Sequence, residues 1–95
     1  MARLNWTPQA KQDLIAIAEY IAQDSNKYAK IQVQRLRNRA RQLVKFPESG
    51  RIVPELEDPE IRELILGNYR IVYRLVSKDR VDVLTIHHSA RTLNL

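Results

Sequence analysis

Cysteine is absent from the 95 residues, so neither a disulfide framework nor a thiolate metal site is available. No apolar run approaches the ~20 residues needed to cross a bilayer, so no membrane partner is expected. The N-terminus has no leader pattern, because the polar Asn5 and the bulky Trp6 follow closely on Arg3. These absences together point to a reducing, cytoplasmic setting. Also missing are a Gly-rich phosphate loop, a G-x-S-x-G elbow and helix-turn-helix spacing, which removes the common nucleotide-binding, hydrolase and DNA-reading signatures. His87 and His88 are adjacent, and neighbours on a strand point to opposite faces, so they do not make a metal pair. No metal and no cofactor are expected.

What the chain does contain is an ordinary globular share of apolar residues, 44%, in a length that admits one domain, residues 1–95. Sixteen Lys and Arg stand against eleven Asp and Glu, a net charge of +5. An excess of this sign suits a polyanionic or acidic partner, although many basic domains have none.

Arg3 to Trp6 reads as a short edge strand. Thr7 and Pro8 then form a helix start, with a hydroxyl at the N-cap and a fixed φ at the first helical position. Ala10, Leu14, Ile17, Ala18 and Ile21 follow at the spacing of one helix face, which ends near Asp24-Ser25-Asn26. A second helix carries Ala29, Val33, Leu36, Ala40 and Leu43 as a narrow apolar stripe and stops at Pro47. Two amphipathic helices across a short polar turn make an antiparallel hairpin. From Phe46 to Pro59 the chain is expected to be irregular, punctuated by Pro47, Gly50, Pro54 and Pro59.

Three strand-like runs complete the chain: Ile61 to Leu66, Tyr69 to Val76 and Val81 to His88. Gly67-Asn68 suits a two-residue hairpin loop. That loop fixes a register in which Leu64 faces Ile71 and Arg62 faces Tyr73. Continuing it pairs Tyr73 with Leu84 and Ile71 with Ile86, so Ile71, Leu84 and Ile86 should lie beneath the helices. The fold class expected is α+β, a two-helix hairpin on one face of an antiparallel sheet in the order β-α-α-β-β-β.

On the far side of that sheet the register groups Arg70, Arg74, His87 and Glu63, with Arg91 just past the last strand. Arginines grip phosphate or carboxylate in a fork, and imidazole moves protons near neutral pH. The group is either an anion-binding surface for RNA or an acidic peptide, or a solvated face whose charges serve solubility. On the second helix Lys27, Lys30, Arg37, Arg41 and Lys45 line one flank of the apolar stripe, and Arg35 and Arg39 the other. No acid lies between Asn26 and Pro47, so this face could attract a polyanion or be a solvated charge run. Trp6, Tyr69 and Tyr73 sit beside apolar sheet positions and read as core packing.

The run Gly67-Asn68-Tyr69-Arg70-Ile71-Val72-Tyr73-Arg74, followed by Val81 to Arg91, resembles the closing hairpin of RelE/ParE toxins. Ala10, Asp13-Leu14, Ile17, Tyr20-Ile21 and the Pro47 to Arg51 segment are similar to that superfamily too, so the resemblance covers nearly the whole chain. It implies the toxin of a type II toxin–antitoxin system, neutralised by a cognate antitoxin. RelE-like members cut messenger RNA in the ribosomal A site, whereas ParE-like members poison DNA gyrase. Arg70 and Arg91 fall where the nucleases have arginines, but their two lysines correspond here to Ile61 and Glu63, and their C-terminal tyrosine would lie beyond Leu95. Losing two cations and gaining a carboxylate works against charge stabilisation at a scissile phosphate.

The resemblance therefore implies a ParE-like gyrase inhibitor. The alternative is a ribosome-dependent ribonuclease in which Arg70, Arg91, His87 and Glu63 would be catalytic, with the ribosome and messenger RNA as partners. A third outcome is a member that only binds. The antitoxin would dock along the helical hairpin, at Leu14, Ile17, Ile21, Val33 and Leu36, and at an open sheet edge. Operator DNA would be reached only through the antitoxin.

Overall fold

A computed structural model describes residues 1–88. Strand β1 (Arg3–Trp6) leads into helix α1 (Pro8–Ala22) and helix α2 (Asn26–Lys45). Strands β2 (Arg51–Ile52), β3 (Ile61–Leu66), β4 (Tyr69–Ser77) and β5 (Arg80–His88) follow. Both helices start on a side-chain cap. The Thr7 hydroxyl accepts from the Ala10 N–H at 3.2 Å, and Ser25 accepts from Tyr28 N–H at 3.0 Å. Pro8 stands at the start of α1, where its missing N–H costs nothing. Between the helices the Asp24 and Ser25 N–H groups both donate to the Ile21 carbonyl, closing the hairpin in a few residues. Gly67, at φ +55°, makes the β3–β4 turn, a left-handed conformation that glycine adopts without steric penalty.

The sheet order is β1-β5-β4-β3-β2. One departure from an all-antiparallel sheet is β1, which runs parallel to β5, Arg3 beside Arg80 through Trp6 beside Val83. A parallel neighbour needs a crossover, and the two helices with the β2–β4 meander supply it. Strand β2 is an addition to the expected element order, and it pairs antiparallel with β3. The segment expected to be irregular places Arg51 opposite Glu63 and Ile52 opposite Arg62.

The β3–β4 register is the one read from the loop, Leu66 with Tyr69 through Ile61 with Arg74. Arg70 lies opposite His87 and Ile71 opposite Ile86, also as expected. Tyr73 is the exception. It faces Val83 rather than Leu84, because a bulge lets Val72 pair with Thr85 and leaves Leu84 as the extra residue. The bulge resets the alternation of β5, so Val81, Val83 and Ile86 are buried while Leu84 is half-exposed. Strict period-two alternation predicts Leu84 beneath the helices; Val83 takes that place.

The core joins Ala10 and Leu14 of α1 and Leu36, Ala40 and Leu43 of α2 to Leu64, Ile71, Tyr73, Val81, Val83 and Ile86 of the sheet. Trp6, Ile17, Val33 and Tyr69 pack partly buried against it. Burial of a large apolar side chain contributes about 1.5–3 kcal/mol, and this cluster is what holds the hairpin on the sheet. No helix among the described residues is long and apolar enough to cross a membrane.

Candidate functional site

The far side of the sheet is not the bare solvated surface that alternation implies. Val53, Glu63 and Val72 are all buried there, away from the cluster beneath the helices. Glu63 is 1% exposed, and an ionised carboxylate is retained at that depth only with compensating donors.

Two arginines supply them. Arg70 Nε donates to Glu63 Oε1 at 2.6 Å, and Arg51 Nε to Glu63 Oε2 at 2.5 Å. The other end of Arg70 is taken as well. Its Nη1 and Nη2 donate to the two oxygens of Glu55 at 2.7 and 2.8 Å, a bidentate fork. The Arg70 side chain is 11% exposed, while Glu55, reaching over from between β2 and β3, is half-exposed. Hydrogen bonds from the Arg70 fork hold the Glu55 carboxyl down to about 2, against an ordinary value of 4.5. Reciprocally, Glu55 and then Glu63 push the Arg70 guanidinium further up, against its partial desolvation.

The β2 strand that carries Arg51 is pinned from beneath. Gly50 N–H donates to the buried Tyr73 hydroxyl at 2.9 Å. A Cβ at Gly50 would fall 2.6 Å from both the Glu63 carbonyl oxygen and that hydroxyl, so only glycine fits the approach. Arg62 adds donors to the Gly50 and Glu48 carbonyls at 3.2 and 3.3 Å. Burial raises the Tyr73 phenol, with the Gly50 hydrogen bond acting in the opposite sense.

Of the residues proposed for chemistry, Arg70 and Glu63 are thus in direct contact, and His87 lies opposite Arg70 in the register. Arg91 lies outside the described residues. Arg74 stands apart from the cluster, loosely paired with Glu60 at 3.6 Å. Arg51 and Glu55, which complete the cluster, were not singled out from the sequence; the signal available was the strand-like Arg51-Ile52-Val53 between Gly50 and Pro54. Every oxygen of Glu63 and every nitrogen of Arg70 has a protein partner, so the group is a closed ionic clasp. Among the described residues no cluster of three or more His, Asp or Glu is placed to hold a metal ion.

A second concave feature lies between α1 and the C-terminal half of β5. It is a groove of about 510 Å³ with Ala16, Ile17, Tyr20, Tyr69, Ile86 and His88 on its walls. Tyr20 is 72% exposed, and Tyr69 meets His88 edge to face at 5.4 Å. Of the five residues expected to dock a partner, Leu14 and Leu36 are core, so their apolar contacts are made within the chain. Ile17 reaches this groove; Ile21 and Val33 are half-buried along the hairpin.

Two helices over one face of a mixed five-stranded sheet, with an arginine–carboxylate clasp on the other face, define a small two-layer α+β protein. Residues 4–93 match the family described as the ParE toxin of the type II toxin–antitoxin system parDE. The chain is 35% identical over 91 residues to the Toxin RelE2 of Caulobacter vibrioides, covering 96% of this chain and 99% of that protein. A solved structure of the chromosomal ParDE toxin–antitoxin system from P. aeruginosa superposes with a TM-score of 0.76 at 27% identity, over 93% of this chain and 96% of the other. The chain belongs to the ParE toxin family, within the RelE/ParE superfamily of type II toxins.

Proposed function

We propose that this toxin is ParE-like in action: it arrests growth in the cytoplasm by inhibiting DNA gyrase, without cleaving RNA, and a cognate antitoxin silences it. The observation that carries this reading is the occupancy of Arg70. A nuclease of this superfamily needs cations free to meet a phosphate, and here the Arg70 donors are spent on Glu63 and Glu55. Glu63 is equally committed as a base, with guanidinium groups on both oxygens. The family match to parDE toxins agrees with this reading.

The test is a supercoiling assay with purified gyrase and a graded excess of the chain. Loss of supercoiling at stoichiometric ratios is expected; unchanged supercoiling at large excess overturns it. The likeness to a protein named Toxin RelE2 favours a second reading, a ribosome-dependent ribonuclease using Arg70, Arg91, His87 and Glu63. Primer extension on translated messages during growth arrest separates the two, since only the ribonuclease leaves new 5′ ends.

The antitoxin is proposed to engage the groove between α1 and β5. Ile17, Tyr20 and Tyr69 offer apolar and aromatic anchors there, and on the side away from β4 the β1 strand covers β5 only as far as Val83. Substituting Tyr20 by Ala and measuring affinity for the antitoxin tests this. A hundredfold weakening is the scale of an aromatic hot spot, about 2–3 kcal/mol.

A further inference from the structure

The positive charge of this protein is not spread over it. Helix α2 holds seven of the sixteen Lys and Arg and none of the eleven Asp and Glu, so the rest of the chain, with nine cations, is net negative by two. Six of the seven are exposed; Arg39 is the half-buried exception, donating to the Ile65 carbonyl and to Gln42. Among the described residues, none of the seven has a carboxylate within ion-pair distance.

Helical geometry aligns five of them. Lys27, Lys30, Arg37, Arg41 and Lys45 fall within one arc of α2, with the exposed Gln34 and Asn38 between them. Over twenty residues that line is about 30 Å long. Arg37 is steadied from below, its guanidinium 5.9 Å from the Trp6 ring centroid.

We propose that this face of α2 is a docking surface for the sugar-phosphate backbone of duplex DNA, engaged without regard to base sequence. The reading goes beyond gyrase inhibition and beyond contact with DNA through the antitoxin alone, and it stands independently of both. Charge complementarity selects a polyanion. The side chains between the cations select which one. An acidic protein segment would need apolar anchors at the centre of its interface, where lysine is depleted. Here the intervening residues are Gln and Asn, which donate to phosphate and sugar oxygens. Of the exposed apolar residues of α2, Tyr28 lies towards the opposite flank, and Ile31 borders the line beside Lys27 at one end, so the centre of the line carries no apolar anchor. A single strand is held largely by stacking on aromatics, and this line contains none. A straight, rigid, basic rod suits the regular phosphates of a duplex.

Fluorescence anisotropy of a labelled 25-base-pair duplex, titrated with the full chain across a salt series, tests the proposal. Binding is expected in the micromolar range near physiological salt, with an affinity that falls steeply as salt rises. A triple variant, Lys30→Gln with Arg41→Gln and Lys45→Gln, should weaken binding at least tenfold and flatten the log–log salt slope by about 2.5–3. A control, Arg3→Gln with Lys11→Gln and Lys78→Gln, removes the same charge from exposed, unpaired sites elsewhere and should lose far less. Thermal melting checks that both remain folded. Equal losses in the two variants overturn the proposal by reducing it to net charge. So does a triple variant that binds duplex DNA as well as the parent, a parent that binds none at low salt, or tighter α2-dependent binding to single-stranded RNA or a polyglutamate peptide.

Discussion

Replacing Glu63 by Gln keeps the size and shape of the side chain and removes its charge. The Glu63 side chain is fully buried, with Arg70 11% and Arg51 62% exposed beside it. Removing one partner from a buried pair costs about 3–5 kcal/mol, because the other charge is left without compensation. Here the loss is smaller. Arg70 keeps both oxygens of Glu55, and Arg51 can turn its guanidinium to water. We expect about 2–3 kcal/mol. For a domain of this size that lowers the melting temperature by roughly 10–20 °C. A urea titration followed by circular dichroism supplies the free energy, and a cycle with Arg70→Gln supplies the coupling. A coupling of about 1.5–3 kcal/mol is expected, since the two side chains share one network. If Glu63→Gln shifted stability by less than about 0.5 kcal/mol, the clasp would not be structural, and the argument that Arg70 is withheld from phosphate would fall with it.

Three further outcomes follow from the same neighbourhood. The Glu55 carboxyl sits at about 2 in the folded chain against 4.5 ordinarily, so its contribution is present above pH 4.5 and lost as pH falls towards 2. Glu55→Gln should flatten the acid limb of a stability–pH curve within that window and nowhere above it. Gly50→Ala should cost about 1–3 kcal/mol, because the new methyl meets the Glu63 carbonyl and the Tyr73 hydroxyl at 2.6 Å; chemical denaturation measures it. Tyr73→Phe leaves the Gly50 N–H buried without its acceptor, and should cost about 1–3 kcal/mol in the same measurement.

The sequence carries the helices and the hairpin registers because each is fixed locally. Thr7-Pro8, the stripe from Ala29 to Leu43 and the Gly67-Asn68 loop are short-range signals that tertiary packing had no reason to override. The juxtaposition of Arg70 with Glu63 and His87 follows from those registers. What escaped is non-local. A bulge at Leu84 costs the alternation one residue, and no local feature of β5 distinguishes Leu84 from Val83 as the residue to leave unpaired. Strand β2 is two residues long, too short for periodicity, and it exists because Tyr73 and Arg62 hold Gly50 against β3. Glu55 joins the site from a segment with no periodic structure, so only the folded chain connects it to Arg70.

Asp13 offers a test of how the antitoxin would be held. Beyond Val83 the β5 edge that β1 leaves uncovered still has backbone groups to satisfy, and side chains from the start of the hairpin do so. The Thr7 hydroxyl donates to the Val83 and Leu84 carbonyls at 2.8 and 3.1 Å. Asp13 Oδ2 accepts from the Ile86 N–H at 3.0 Å and from the Thr85 hydroxyl. Asp13 is therefore a plug in the place where an incoming strand would supply a carbonyl. Asp13→Ala should destabilise the free chain by about 1–3 kcal/mol, the cost of leaving those donors unmatched. If the antitoxin adds a strand here, its backbone satisfies Ile86 in the complex. The penalty measured there, by the shift in melting temperature at saturating antitoxin, should then shrink well below the free value, and antitoxin affinity should rise by the difference. An equal penalty with and without antitoxin would mean that this edge stays plugged, and that the partner is held by Ile17, Tyr20 and the helices alone.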